Sequence, residues 1–241
     1  MGSVTKFKRS AVVNQLRHCA RTIVHNSNED IKPELSSENV CLTPDRGGLT
    51  EYEYYKQRLD ELYVYGRDDV VTMAGWVFTA PSELETKEEA MDFFRATADF
   101  LNARYGVENT VSITCHFDEG VEVPEQDRWG NPVLDSAGEV VMRKVGRPHM
   151  HFDFIPAVSD TNPKHEQEEK VNCHDVLTRR ELLTIHRDLQ NYLRSHNVKG
   201  AEGVLTGRTK AQGGNRTVAE LKRDDVVLTH QRTIERGGRE Q

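Results

Sequence analysis

Two stretches of the chain alternate apolar and polar residues with period two. In TVSITCHFDE (110–119), Val111, Ile113, Cys115 and Phe117 fall on one side, and Ser112, Thr114, His116 and Asp118 on the other. In RPHMHFDF (147–154), Met150, Phe152 and Phe154 share one face while His149, His151 and Asp153 share the opposite one. Both read as strands. A third, DVVTMAGWVFTAP (69–81), is β-branched and aromatic, and residues 3–9 suggest a short strand.

Elsewhere the period is helical. Residues 10–24 predict a helix with Ser10 as its cap, and Tyr-rich 50–65 predicts an amphipathic one. Thr86-Lys-Glu-Glu89 has capping-box spacing before a helix with Phe93, Phe94, Thr97, Phe100, Leu101 and Tyr105 at helical intervals, closed by Gly106. Thr178-Arg-Arg-Glu181 opens another, reaching about Asn197, with Leu182, Ile185, Leu189, Tyr192 and Leu193 inward. A short helix is expected over 217–223, and 159–173 reads as a polar linker. Between the two alternating strands, turn signals at Trp129-Gly-Asn-Pro132 and Ser136-Ala-Gly-Glu139 suggest a hairpin arm. Capped helices among hairpin-paired strands predict an α+β fold: an antiparallel sheet with flanking helices and an inserted β-hairpin arm. We expect one domain over 1–241, with 120–147 as the insert and 198–241 as a basic extension.

Charge changes the picture locally. The chain of 241 residues is 36% hydrophobic and 29% charged, with a net charge of −7, which argues against a wholly basic nucleic-acid binder. Residues 178–241 nevertheless hold 13 Lys+Arg against 8 Asp+Glu, leaving the acidic excess to the rest. A basic tail beside an acidic body suits local phosphate contact. The four cysteines are scattered without a CxxC, and no apolar run is long enough to span a bilayer. A reduced, cytoplasmic setting is expected.

The chemistry lies on the polar faces. Pairing 110–119 with 147–156 lets His116 approach His149 and His151. A lone HxH on a strand commonly faces solvent. A third His in register on the neighbouring strand makes a three-His site with open coordination positions. Glu119, just past the strand, could add a ligand or orient one. Three imidazoles are soft for Mg²⁺, and cellular supply favours Mn²⁺ over later metals. Mn²⁺ is the expected ion, with Mg²⁺ or another transition metal as alternatives.

HFDE…PHMHFDFIP resembles the third motif of the Pre/Mob (MobV-type) plasmid mobilisation relaxases, which are HUH-type endonucleases. RHCARTIVHNSNEDIKPELS (17–36) resembles their N-terminal motif, and four further segments resemble family stretches in the same order. This chain departs in having Gly120–Arg147 between the Glu and the Pro, where relatives have a residue or two. The resemblance implies nicking and rejoining of one DNA strand at an origin of transfer, with a covalent 5′-phosphoryl enzyme and metal at His116, His149 and His151. Its partners would be single-stranded or hairpin origin DNA and other mobilisation proteins. It implies His18 as the nucleophile. Arg21, at i+3, would share its helical face and hold phosphate or transition-state charge.

Tyr52, Tyr54 and Tyr55 are rival nucleophiles, although Tyr52, Tyr55, Leu59 and Leu62 have the spacing of a core-facing stripe. His25, two turns from His18, is another rival, and Asn28 and Asp30 could order its loop. Arg128, Arg143, Lys144 and Arg147 in the insert, and Arg208, Lys210 and Arg216 in the tail, are candidate phosphate contacts. Two other functions fit the same residues: an HUH-type rolling-circle replication initiator, and a non-catalytic DNA-binding autorepressor with a structural histidine cluster.

Overall fold

The structure, a computed structural model, describes residues 2–23, 30–119, 121–124, 131–145 and 148–204. In chain order the elements are β1 (Gly2–Lys8), α1 (Arg9–Cys19), β2 (Val40–Cys41), α2 (Glu51–Asp60), β3 (Val71–Thr79), α3 (Lys87–Tyr105), β4 (Thr110–His116), β5 (Val121–Pro124), β6 (Met142–Val145), β7 (His149–Phe154), β8 (Ala157–Ser159), β9 (Glu169–Val171), α4 (Cys173–Val176) and α5 (Arg179–Ser195). Five strands form an antiparallel sheet in the order β1-β3-β7-β4-β2. The fold is therefore the α+β sheet with flanking helices that the patterning predicts. β5 and β6 pair as a separate antiparallel ribbon, Val121 opposite Val145, which is the inserted arm.

The helices cover both faces of the sheet. Met150, Phe152 and Phe154, all fully buried, join Trp76, Phe78, Ile113 and Cys115 against α3 and α5. The other face carries a smaller core, in which Val12 and Leu16 of α1 and Tyr55 and Leu59 of α2 meet Met73, Val111 and Ile155. Val111 thus does not share a side with Ile113. A β-bulge between Thr110 and Ser112 turns it to the opposite face. The polar face of β7 is therefore largely covered: Asp153 lies under α1, His151 is buried beside it, and His149 at the strand's end stays partly exposed.

Helix boundaries differ in instructive ways. Thr86 and Thr178 each accept the amide of the Glu three residues on, so both cap signals mark real starts, and Thr50, not singled out as a cap, does the same for α2. Ser10 is not a cap; α1 begins at Arg9 after an uncapped Lys8. That helix stops at Cys19, five residues short of the apolar pattern's end. Its termination is a Schellman motif, with Thr22 N–H on the Arg17 carbonyl at 3.0 Å and Arg21 N–H on the His18 carbonyl at 3.2 Å. The left-handed position belongs to Arg21, at φ 54°, where glycine is usual. In α5, Leu182 is 40% exposed and not inward. The segment 159–173 is no linker: it returns the chain so that β9 pairs with β8, which ends at Ser159. Ala201 and Val204, expected in the tail, are buried in the larger core. The helix expected over 217–223 lies outside the described residues.

Gly75 of β3 sits opposite Asp153 in the ladder. A Cβ there would lie 2.2 Å from Asp153 Oδ1 and 3.1 Å from the Phe7 ring. Forcing volume into such a packed site costs about 1–3 kcal/mol. Gly75→Ala should lower the denaturant midpoint accordingly, with an unchanged m-value; a midpoint equal to the parent's would show that the carboxyl moves freely.

Candidate metal centre

His116 and His149 are direct ladder partners at the ends of β4 and β7, and His151 lies two residues on, opposite Thr114. Residues two apart on a strand share a face, so register alone brings three imidazoles together. Their ring centroids form a nearly equilateral triangle: 5.2 Å for His116–His149, 5.0 Å for His116–His151 and 5.2 Å for His149–His151. His18, on the last turn of α1, stands at the rim, 5.4 Å from His151 and 6.0 Å from His116 by centroid.

The cluster is built for neutral imidazole. His116 is 1% exposed, and burial pushes its pKa down to about 3. His151 is likewise buried, and burial reinforced by the neighbouring rings holds it well below the usual value. Burial and the Arg21 charge also lower His18. His116 Nε2 faces the Cys19 carbonyl at 2.9 Å. A carbonyl only accepts, so Nε2 carries the hydrogen and Nδ1 keeps its lone pair. That Nδ1 lies 3.3 Å from His149 Nε2.

These residues fit a metal ion. His151 Nε2 is buried without a hydrogen-bond partner, an orphaned lone pair beside two other imidazoles. Two nitrogens about 2.0–2.1 Å from one tetrahedral ion stand about 3.3–3.4 Å apart, which matches the His116–His149 spacing. Donor atoms of His116, His149 and Glu119, and of His18, His116 and His151, each lie within 4.8 Å of one another.

A second layer holds the rim in place. Arg21 does not lie on the helical face of His18, since α1 has already ended. Its guanidinium turns back and grips Asp118 bidentately, Nε to Oδ2 at 2.9 Å and Nη2 to Oδ1 at 2.8 Å. Nη2 also donates to Glu119 at 2.6 Å, and Nη1 to the His18 carbonyl at 3.2 Å. Ser36 adds a third donor to Asp118 at 2.7 Å. Burial of Asp118 favours its neutral form, but the donors from Arg21 and Ser36 outweigh this and hold it below the usual carboxylate range. Glu119 lies 3.8 Å from His149 Nε2. The left-handed backbone of Arg21 is thus held by two carboxylates and the His18 carbonyl around its guanidinium. Removing one partner of a buried ion pair costs about 3–5 kcal/mol. Arg21→Ala should lose about that much in chemical denaturation, and a loss under about 1 kcal/mol would mean the pair is effectively solvated.

The tyrosines are engaged elsewhere. Tyr55 is 1% exposed, with its hydroxyl on Thr72, and the Tyr54 hydroxyl donates to the Glu108 carbonyl. Tyr52 stacks on Tyr55. His25, Asn28, Arg128, Arg147, Arg208, Lys210 and Arg216 lie outside the described residues, and Arg143 and Lys144 lie on β6. Sequence reasoning passed over Asp118 as an anchor, although its place on the polar side of the alternation pointed to it. Ser36 carried no signal at all.

Comparison with known proteins gives this geometry a family. The model of the Mob_Pre family, "Plasmid recombination enzyme", matches residues 1–216. A plasmid recombination enzyme of Streptococcus agalactiae is 26% identical over 225 residues, 90% of this chain and 37% of that protein. One from Bacillus thuringiensis is 24% identical over 186 residues, 76% of this chain and 34% of that protein. The chain thus spans about a third of the length of the curated relatives it matches. Among solved structures, the manganese-bound MobM relaxase domain (MOBV; Mob_Pre) on plasmid oriT DNA superposes with a TM-score of 0.66 at 22% identity, covering 93% of this chain and 97% of that one. A fold held in common, and a family match over nine-tenths of the sequence, place this chain in the Mob_Pre family of plasmid recombination enzymes.

Proposed function

We propose that the chain is a metal-dependent relaxase domain that nicks and rejoins one DNA strand at an origin of transfer. The observation that carries this is the juxtaposition of a neutral half-buried imidazole, His18, with three more whose ring centroids lie 5.0–5.2 Å apart. The triad's ligand set suits Mn²⁺, the ion in the related MobM relaxase structures, whose DNA is oriT. His116, His149 and His151 would hold the ion. Bound there, it would supply Lewis-acid polarisation of a phosphoryl oxygen and shield its charge.

The remaining work falls to the chain's own groups. His18 offers a ring nitrogen lone pair to the scissile phosphorus. The new bond is N–P, the P–O3′ bond breaks, and the 3′ oxygen leaves as a hydroxyl, gaining in net the proton that the other nitrogen of the His18 ring gives up. The 5′ phosphoryl stays on His18 as a phosphoramidate, and attack by a 3′-hydroxyl reverses the step. Arg21 fixes the turn that ends α1 and keeps positive charge beside His18. Glu119, bonded to Arg21, steadies His149. Arg128, Arg143, Lys144, Arg147, Arg208, Lys210 and Arg216 would meet backbone phosphates. Among the described residues no helix is long and apolar enough to cross a membrane. A cytoplasmic site of action follows from the DNA substrate, and other mobilisation proteins are expected partners.

A denaturing gel tests the reading. Labelled single-stranded origin DNA incubated with the protein in Mn²⁺ should yield a shortened 3′-hydroxyl fragment and a label retarded with the protein. Tight duplex binding without cleavage or adduct would support the DNA-binding autorepressor instead. Cleavage at a replication origin alone would support the rolling-circle initiator.

A further inference from the structure

We propose that Asp153 is a positioning residue, which pins the last turns of α1 to the sheet and so sets His18 over the triad; the inference rests on His18 being the attacking group. Asp153 is completely buried, two residues beyond His151 on the same face of β7. No cation meets it among the described residues. Its hydrogen-bond donors all come from α1: Gln15 Nε2 reaches Oδ1 at 3.4 Å and Oδ2 at 3.3 Å, and Cys19 Sγ reaches Oδ2 at 3.5 Å. Gln15 and Cys19 are four residues apart, hence on one helical face, and Gln15 Nε2 also contacts Cys19 Sγ at 3.4 Å.

The placement relative to His18 is what gives this contact a consequence. His18 lies between the two donors in sequence. The Cys19 carbonyl accepts from His116 Nε2, so the end of α1 is tied to the sheet twice, once through Asp153 and once through a triad imidazole. Both ties run between the element bearing the candidate nucleophile and the strands bearing the candidate ligands. Around them lie apolar Val12, Leu16, Met73 and Val111, with Ser112 the ladder partner of Asp153. A buried carboxyl among such neighbours is costly, and an aliphatic side chain would pack α1 with less penalty. Such a contact fixes register where aliphatic packing would let a helix slide or rotate. The sequence also makes room for it, because only glycine at position 75 leaves space for Oδ1.

The test combines two readouts on the full chain. Asp153→Leu and Gln15→Leu should each slow covalent adduct formation at saturating DNA and Mn²⁺ by roughly 10- to 100-fold, the cost of about an ångström of misplacement. Half-saturating concentrations of DNA and Mn²⁺ should stay within about twofold, because neither residue touches them. The double variant should be no slower than the worse single one, and Asp153→Asn, which keeps an acceptor for Gln15, should restore most of the rate. Hydrogen exchange of the metal-free variants should show faster exchange over residues 15–20 with the β3, β4 and β7 amides unchanged. If the parent itself forms no adduct, the relaxase reading fails, and the exchange measurement decides the positioning claim alone. Unchanged adduct rates, additive losses, rate losses matched by weaker Mn²⁺ binding, or unchanged exchange in α1 would each overturn it.

Discussion

His18→Ala is expected to form no covalent protein–DNA adduct, while its Mn²⁺ affinity should stay within about twofold of the parent's. Removing a nucleophile that acts as one unit with its site costs on the order of 10⁴-fold or more in rate. The loss should appear in adduct and nicked product together, because both require the N–P bond. Metal binding should survive, since His116, His149 and His151 form a closed triangle without His18. The substitution is structurally mild: the ring is half-buried at a helix end, and its backbone groups remain in the Schellman turn. Two outcomes would revise the assignment. An adduct that persists in His18→Ala but vanishes in a tyrosine variant would move the nucleophile. A parallel fall in Mn²⁺ affinity would make His18 a ligand, as its distance to His116 and His151 permits.

The second large effect separates metal binding from folding. His151→Leu should abolish both Mn²⁺ binding and nicking, yet leave the metal-free protein as stable as the parent or more so. His151 Nε2 is a buried nitrogen with no partner, and such a group costs about 1–3 kcal/mol. Leucine removes that cost. With Mn²⁺ at 100 times its dissociation constant, the parent should gain about 2.7 kcal/mol against unfolding, and the variant nothing. Thermal unfolding with and without Mn²⁺ reads both changes. An Mn²⁺-induced rise in Tm that persists in the variant would place the ion elsewhere. A variant that is less stable without metal would mean the imidazole is partnered in solution.

Much of this was legible because strands advertise their faces. Alternation in 110–119 and 147–154, with one strand pairing between them, was enough to bring His116 to His149 and His151. Threonine caps at Thr86 and Thr178 marked two helix starts for the same reason: a side-chain oxygen three residues before a Glu has a local job that needs no tertiary context. The failures have tertiary causes. The end of α1 was hidden because Arg21, not glycine, occupies the left-handed position, and what permits it is Asp118, 97 residues away in sequence. Val111 was assigned to the wrong side because a bulge leaves no trace in an alternating pattern. Asp153 looked like one more polar residue on an exposed face; only the docking of α1 onto that face made it buried.

The arm between β4 and β7 has a consequence for how the family can vary. His116 and His149 face each other across one ladder rung, so the chain must leave and return within a single interstrand spacing, about 4.7–4.9 Å. Beyond Asp118 and Glu119, which hold Arg21, what lies between the two histidines is a closed excursion whose ends are fixed and whose length is not. Because closure entropy grows only with the logarithm of length, each doubling of such a loop costs about 0.6 kcal/mol. β5 and β6 offset part of even that by pairing with each other. The connection between the two histidine strands can therefore lengthen or shrink by whole hairpins while the triangle keeps its edges. Its length is thus uncoupled from the geometry of the histidine triangle.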